Sequence, residues 1–328
     1  MRGQLQENQS FNHLCNNQFA LDVRTGLSQE KKYISSKYFY DEKGSELFNQ
    51  ITQHPDYYLT QCELEILENN KLELSQLVQN EDFNLIELGP GEGVKTLILL
   101  EQLLKDSRKF TYFTIDISLK FLNDLTSKLL KLLPTLNIQS IYKDFNEGLR
   151  SLNLHPDKRN VVLFLGSSIG NYNELETKNF LNSIWQNLND GDYFLVGFDL
   201  RKDINVLFDA YDDSDGITKA FNLNLLERIN RELGANFQIN NFKHYATYNV
   251  YSGAMESYLI STKKQDVYIK DLKQTFNFYE YEPIYFECSH KYRYFQIEQF
   301  AKNSNFKILK NFEDFKKYFA LSLWQVQK

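Results

Sequence analysis

Between residues 84 and 198 the sequence repeats one pattern: a short apolar run, a turn, then a run with helical periodicity. The apolar runs are Asn84–Leu88, Thr111–Ile117, Ile138–Tyr142, Asn160–Leu165 and Tyr193–Phe198. Between them lie Val94–Lys105, Leu119–Leu133 (stopped by Pro134) and Leu175–Leu188, which read as helices. Strands that alternate with helices imply parallel pairing and a doubly wound α/β sheet. Asn160–Leu165 is apolar at nearly every position, as expected of a central strand covered on both faces.

After Asp199 the rhythm breaks. Asp203–Tyr211 and Thr218–Leu233 read as helices, and His244–Tyr251 and Met255–Ser261 as antiparallel strands. A helix over Arg293–Asn303 and strands at Lys307–Asn311 and Tyr318–Val326 then bring the sheet to seven strands. Upstream, Ser45–Ile51 and Thr60–Leu77 read as helices, the second with Leu64, Ile66, Leu67, Leu74 and Leu77 on an apolar side. A proline-marked loop, His54 to Tyr58, separates them. The expected organisation is a flexible arm over 1–32, a ligand-binding α/β domain over 78–200 and 291–328, and a smaller α+β lobe over 33–77 and 201–290.

Composition removes several classes of function. Hydrophobic residues are 42% and charged residues 24%, which excludes a disordered chain. The net charge is −6 and no basic stripe is present, so nucleic acid is not the expected partner. No apolar run reaches membrane-spanning length. The first 21 residues are polar, without the apolar core of a signal peptide, so the cytoplasm is expected. Cys15, Cys62 and Cys288 form no Cys-x-x-Cys pair, so free thiols are expected and no metal site. A monomer acting on a small molecule fits this balance.

The chemistry concentrates where strands end. Glu87-Leu-Gly-Pro-Gly-Glu-Gly93 joins the first strand to the first helix of the repeat. Glycines at Gly89 and Gly91 let the backbone approach a ligand closely, and the helix start offers unpaired N–H groups. The spacing is Gly-x-Gly-x-Gly, not the dinucleotide Gly-x-Gly-x-x-Gly. By itself such a turn is also a common structural feature. Asp116 closes the second strand about 25 residues on, where a carboxylate can accept from both ribose hydroxyls. It could equally cap the next helix, with Ser118 as the competing cap. Asp144-Phe145 follows the third strand and supplies a carboxylate and a ring for adenine. Ligands of open α/β sheets bind at these carboxyl ends, so the constellation points to a nucleoside. Only Lys95 is basic near the turn. That favours S-adenosylmethionine, whose nucleoside carries no phosphate, over a dinucleotide. The fourth strand ends in Leu165-Gly-Ser-Ser-Ile-Gly-Asn171, bordering the reactive end; Asn171 can hold a substrate or cap the following helix.

Longer blocks are family-specific. Tyr38-Phe-Tyr-Asp-Glu-Lys-Gly-Ser-Glu-Leu-Phe-Asn-Gln-Ile-Thr52, Pro55-Asp-Tyr-Tyr-Leu-Thr60, Phe164 to Asn171, Asp199-Leu-Arg-Lys-Asp203, Ala210-Tyr-Asp-Asp213 and Glu287-Cys-Ser-His-Lys-Tyr292 resemble the histidine Nα-methyltransferases of ergothioneine biosynthesis. The resemblance runs in order from about residue 33 to residue 326. It implies a Rossmann-like, seven-stranded class I methyltransferase sheet with a second, smaller α+β substrate-binding lobe. It also implies an enzyme that trimethylates L-histidine to hercynine and releases S-adenosylhomocysteine. Carried over by position, it implies that Gly89, Gly91, Lys95, Asp116, Asp144 and Phe145 hold the donor. Tyr57, Asn171 and Tyr211 would hold the amino acid's α-amino and carboxylate end, with Tyr57 and Asn171 catalytic. Tyr40, Glu287 and Ser289 would meet the imidazole, and Ser257 would lie near it. Without the resemblance, Glu287 and Ser289 read as an exposed edge strand.

Three departures stand out. Lys143 precedes Asp144 where the family usually has Gly, Leu59 stands where Pro is common, and Ser257 stands where an apolar Met is expected. The competing readings are an N-methyltransferase of another amino acid or an indole, and a catalytically silent S-adenosylmethionine-binding protein. An indole offers one donor and no acceptor, which fits Glu287 with Ser289 poorly.

Overall fold

The computed structural model describes residues 18–78, 82–154 and 157–328. The chain divides into two compact units, residues 1–57 with 203–289, and residues 58–202 with 290–328.

The second of these is the α/β unit. It opens with α3 (Tyr58–Ser75), then runs β1 (Phe83–Leu88), α4 (Val94–Lys105), β2 (Phe110–Asp116), α5 (Leu119–Leu132), β3 (Ile138–Tyr142), α6 (Phe145–Ser151), β4 (Arg159–Phe164), α7 (Glu174–Asn187) and β5 (Tyr193–Asp199). It closes with α10 (Tyr294–Asn303), β11 (Phe306–Glu313) and β12 (Phe319–Val326). The seven strands lie in the order β11-β12-β5-β4-β1-β2-β3. β1 to β5 are parallel, while β12 runs antiparallel to both β5 and β11. The strand order reverses between β1 and β4, which opens a crevice at their carboxyl ends.

The period of two sorts the core. Ile86, Val162, Phe164, Phe194, Val196, Phe198 and Trp324 point to one face, where Phe180, Leu181 and Ile184 of α7 and Ile297 of α10 cover them. The alternate residues Leu85, Val161, Leu163 and Leu195 meet Leu74 of α3 and Leu99 and Leu103 of α4 on the other face. β1 is buried at all six positions and β4 at five of six, whereas the edge strand β3 has no buried residue.

The other unit carries a helix over residues 18–27 (α1), α2 (Glu42–Gln53), α8 (Ile204–Tyr211) and α9 (Ile217–Leu233). Its strands are β6 (Phe242–Asn249), β7 (Ala254–Ser261), β8 (Gln265–Ile269), β9 (Gln274–Phe278) and β10 (Pro283–His290). They form a three-stranded sheet, β10-β7-β6, and a β8–β9 hairpin. Leu225, Leu226 and Ile229 of α9, Leu259 of β7, and Ile284 and Phe286 of β10 share one core with Phe19, Val23 and Leu27 of α1.

Two expectations about organisation are corrected here. The arm expected over residues 1–32 contains α1, whose Phe19, Val23 and Leu27 recur every four residues and are buried; residues 1–17 lie outside the described residues. The helix after the proline loop, expected with the substrate lobe, belongs to the α/β unit. Its Leu59, Cys62, Ile66, Leu67 and Leu74 form the buried stripe that covers the sheet. Sequence reading also missed α6, β8 and β9. Cys62 and Cys288 are in no disulfide; burial foremost, and then Asp314, pushes the Cys62 thiol up to about 12.

Candidate active site

In the α/β unit the glycine turn has the geometry of a ligand cradle. Gly89, Gly91 and Gly93 have φ of 67°, 54° and 69°, the left-handed region that side chains disfavour. A Cβ at Gly91 would meet no atom within 4 Å, and one at Gly89 would meet only the Phe145 ring, at 3.4 Å. The turn is therefore open to a ligand and has Phe145 beside it. The Gly89 N–H donates to the Ile115 carbonyl at 2.9 Å, and the Lys143 N–H donates to the Asp116 carbonyl at 3.2 Å. These bonds register the ends of β1, β2 and β3 against one another.

Asp116 accepts from the Ser118 N–H at 2.8 Å. Burial pushes its carboxyl up against the pull of the Ser118 and Ile117 N–H groups. The cap of α5 is Ser118, so Asp116 is not spent on the helix. Asp144 does double as a cap: one of its oxygens accepts from the N–H groups of Asn146 and Glu147 at 2.9 and 3.0 Å. Phe145 packs edge-on against Phe164, with ring centroids 5.8 Å apart. For Asn171 the cap alternative falls away. Asn173 caps α7 in a capping box with Glu176, and Asn171 ends a single turn of 3-10 helix after β4.

Lys95 reaches Oε2 of Glu63 at 2.6 Å, and the Gly166 N–H donates to both Glu63 oxygens at 2.9 and 3.0 Å. Glu63 is 1% exposed. Sequence reading missed it, although a carboxylate set among Leu59, Cys62, Ile66 and Leu67 at helical spacing is a visible anomaly.

In the other unit the remaining site residues form two groups. The Tyr40 ring meets Phe48 edge-on at 5.4 Å, and Phe48 meets Tyr57 at 6.4 Å, so the two tyrosines flank one ring of α2. The Tyr211 hydroxyl donates to Ser289 Oγ at 2.7 Å. Ser257 is buried on β7 opposite Ala246 of β6, on the face that also carries His244 and Leu259.

β10 departs from simple alternation. Phe286 and Ser289 are buried while Glu287 and Cys288 are half-buried, and the Tyr285 side chain hydrogen-bonds that of Cys288 three residues on. The period of two slips there, so a shared face for Glu287 and Ser289 does not follow from their spacing.

A seven-stranded sheet of this order, with a glycine turn at its first strand end and an acidic residue at its second, defines a class I methyltransferase that uses S-adenosylmethionine. The residues fit that donor: the glycine cradle is open at Gly89 and Gly91, Phe145 borders it, and Lys95 is the second residue of the helix that follows. The sequence model of the histidine-specific, S-adenosylmethionine-dependent methyltransferases matches residues 19–326, and the chain belongs to that family. It is 36% identical over 275 residues to the histidine N-alpha-methyltransferase of Mycolicibacterium smegmatis, which covers 83% of this chain and 84% of that protein. The enzyme of the same name from Mycobacterium tuberculosis is 36% identical over 274 residues, with 83% and 84% covered. Ergothioneine biosynthesis protein 1 of Schizosaccharomyces pombe is 29% identical over 297 residues, 87% of this chain and 38% of that longer protein. Among the described residues no helix is long and apolar enough to cross a membrane.

Proposed function

We propose that this enzyme methylates the α-amine of L-histidine three times, giving hercynine for ergothioneine biosynthesis. The observation that carries this reading is the extent of the family match. Residues 19–326 include both compact units, so the segments expected to hold the acceptor are shared with the histidine-specific family, and not only the donor half.

S-adenosylmethionine supplies an electrophilic sulfonium methyl, taken by in-line displacement, with S-adenosylhomocysteine as product. Gly89, Gly91, Asp116, Asp144 and Phe145 would hold its nucleoside, and Lys95 the carboxylate of its amino-acid end. Tyr57 and Asn171 would aim the amine lone pair, and Tyr211 would hold the carboxylate end of the amino acid. Glu287 and Ser289, with Tyr40, would meet the imidazole, whose two nitrogens need one acceptor and one further partner. Positioning supplies much of the acceleration, because a correctly oriented neutral amine needs no strong base. The protein is read as a cytoplasmic monomer.

The test is to incubate the purified protein with S-adenosylmethionine and each amino acid, then weigh the products. Gain of three methyl groups on histidine alone supports the reading. Gain on tryptophan or another amino acid moves the substrate, and donor binding without product makes the chain a silent binder.

A further inference from the structure

A buried polar chain runs through the unit of residues 203–289 to Tyr211 and Ser289. Asn222 of α9 donates through Nδ2 to Nδ1 of His244 on β6, at 2.9 Å. His244 donates in turn from Nε2 to the backbone carbonyl of Tyr211, at 3.0 Å. Tyr211 ends α8, and its hydroxyl donates to Ser289 on β10. Four residues from four elements are thus joined in series, and Asn222, His244, Tyr211 and Ser289 are all at most 9% exposed. An amide NH₂ can only donate, so Nδ1 must be the acceptor and Nε2 must carry the proton. The ring is therefore neutral with a fixed tautomer.

We propose that His244 is a positioning residue for amino-acid recognition. It anchors the carbonyl of Tyr211, and so sets where the Tyr211 hydroxyl and Ser289 stand. The last helical carbonyls have no partner within the helix and need one from elsewhere. His244 supplies that partner at the residue whose side chain reaches Ser289. The ring is held from β6, where Leu259 lies opposite it on β7, so its position is set by the sheet. The charged groups nearest the ring are Asp212, whose Oδ1 is 3.9 Å from Nε2, together with Asp213 and Lys219. This inference rests on reading Tyr211 and Ser289 as amino-acid-holding residues.

Steady-state kinetics with L-histidine, and calorimetric binding of S-adenosylhomocysteine, test it on three variants. His244→Gln keeps an amide N–H near the place of Nε2, His244→Asn is too short to reach the Tyr211 carbonyl, and His244→Leu has no donor. The KM for histidine is expected to rise about tenfold or more in H244L and H244N. It should stay within about threefold of wild type in H244Q, and the affinity for S-adenosylhomocysteine should hold within about twofold in all three. Should H244L fail to fold, the comparison of H244Q with H244N decides. Equal KM values for those two, or a loss of kcat and of donor affinity with KM unchanged, would overturn the positioning role. Tyr211→Phe is the control on the underlying reading. If it leaves the KM for histidine at the wild-type value, that reading fails and the proposal with it, whatever the His244 variants do.

Discussion

The ammonium of Lys291 lies 2.7 Å from Oδ2 of Asp199, and both side chains are fully buried. The Lys202 ammonium pairs with the other oxygen, and the Tyr58 hydroxyl donates to the carboxylate at 2.7 and 2.9 Å. Tyr58 and Lys202 are the first and last residues of one segment of the α/β unit, and Lys291 is the second residue of its other segment. One carboxylate at the end of β5 therefore holds three ends of chain.

Replacing that carboxylate should be costly. Asp199→Asn leaves two buried ammonium groups around a neutral amide, and breaking a buried pair in this way costs about 3–5 kcal/mol. Urea unfolding at pH 7 measures it. Burial alone would push the Asp199 carboxyl up, but Lys202 and Lys291 outweigh it and hold the group below the usual carboxylate range. A depressed acid contributes stability above its unfolded pKa of about 3.9 and loses it as pH falls through the folded value. Wild type should lose this stability below about pH 4, whereas Asp199→Asn should lack that component of the acid slope.

The Glu63 cluster makes a second case, in which two costs overlap. A Cβ at Gly197 would stand 3.0 Å from Glu63 Oε1 and 2.9 Å from the Phe319 ring, so the buried carboxylate depends on this glycine for room. Glu63→Ala strands the Gly166 N–H and should cost about 1–3 kcal/mol. Gly197→Ala overpacks the same spot and should cost about 1–3 kcal/mol. The double variant should lose less than the sum, because removing the carboxylate relieves part of the clash. Strict additivity in urea unfolding would show that the two residues do not compete for space.

These clusters also show where sequence reading stops. Strands β1, β4 and β5 were legible because burial on both faces demands apolar residues throughout, and the Gly89–Gly93 turn because its glycines mark a backbone conformation. Helix α1 was obscured by the Gln, Asn and Asp residues around Phe19 and Val23. Ser118, the cap that relieves Asp116 of that duty, was weighed only as a local alternative, and Asn173, which relieves Asn171, was not weighed at all. Glu63, Asp199 and His244 escaped for a different reason. Their partners lie 103, 92 and 33 residues away for Gly166, Lys291 and Tyr211, so pairing that makes a buried charge or imidazole acceptable is not visible locally.

Asn171 tests the catalytic assignment. With the α7 cap supplied by Asn173, the Asn171 amide has no capping duty to lose. Asn171→Ala should leave the affinity for S-adenosylhomocysteine within about twofold and lower kcat/KM for histidine about a hundredfold, the scale expected when a reacting group is misplaced. Calorimetry and initial rates on the same preparation separate the two effects. Turnover near that of wild type would remove Asn171 from the chemistry.

Glu87 should give a pH dependence of the opposite sign to Asp199. It is fully buried in β1, where the Thr96 hydroxyl donates to it at 2.6 Å and the Tyr112 hydroxyl bonds its other oxygen. Burial pushes its carboxyl up more strongly than these hydroxyls and the nearby Lys95 pull it down. An acid whose folded pKa is raised contributes fully below the unfolded pKa of about 4.3, and that contribution is lost as pH rises through the folded value. Wild type therefore carries the cost of a buried, desolvated carboxylate at neutral and alkaline pH. Glu87→Gln removes the ionisation and keeps an oxygen that can accept from Tyr112. Its melting temperature relative to wild type should accordingly rise as pH is raised from about 4 to 8. A variant-minus-wild-type difference that stays flat across that range, or falls, would mean that the two hydroxyls fully offset the burial of Glu87.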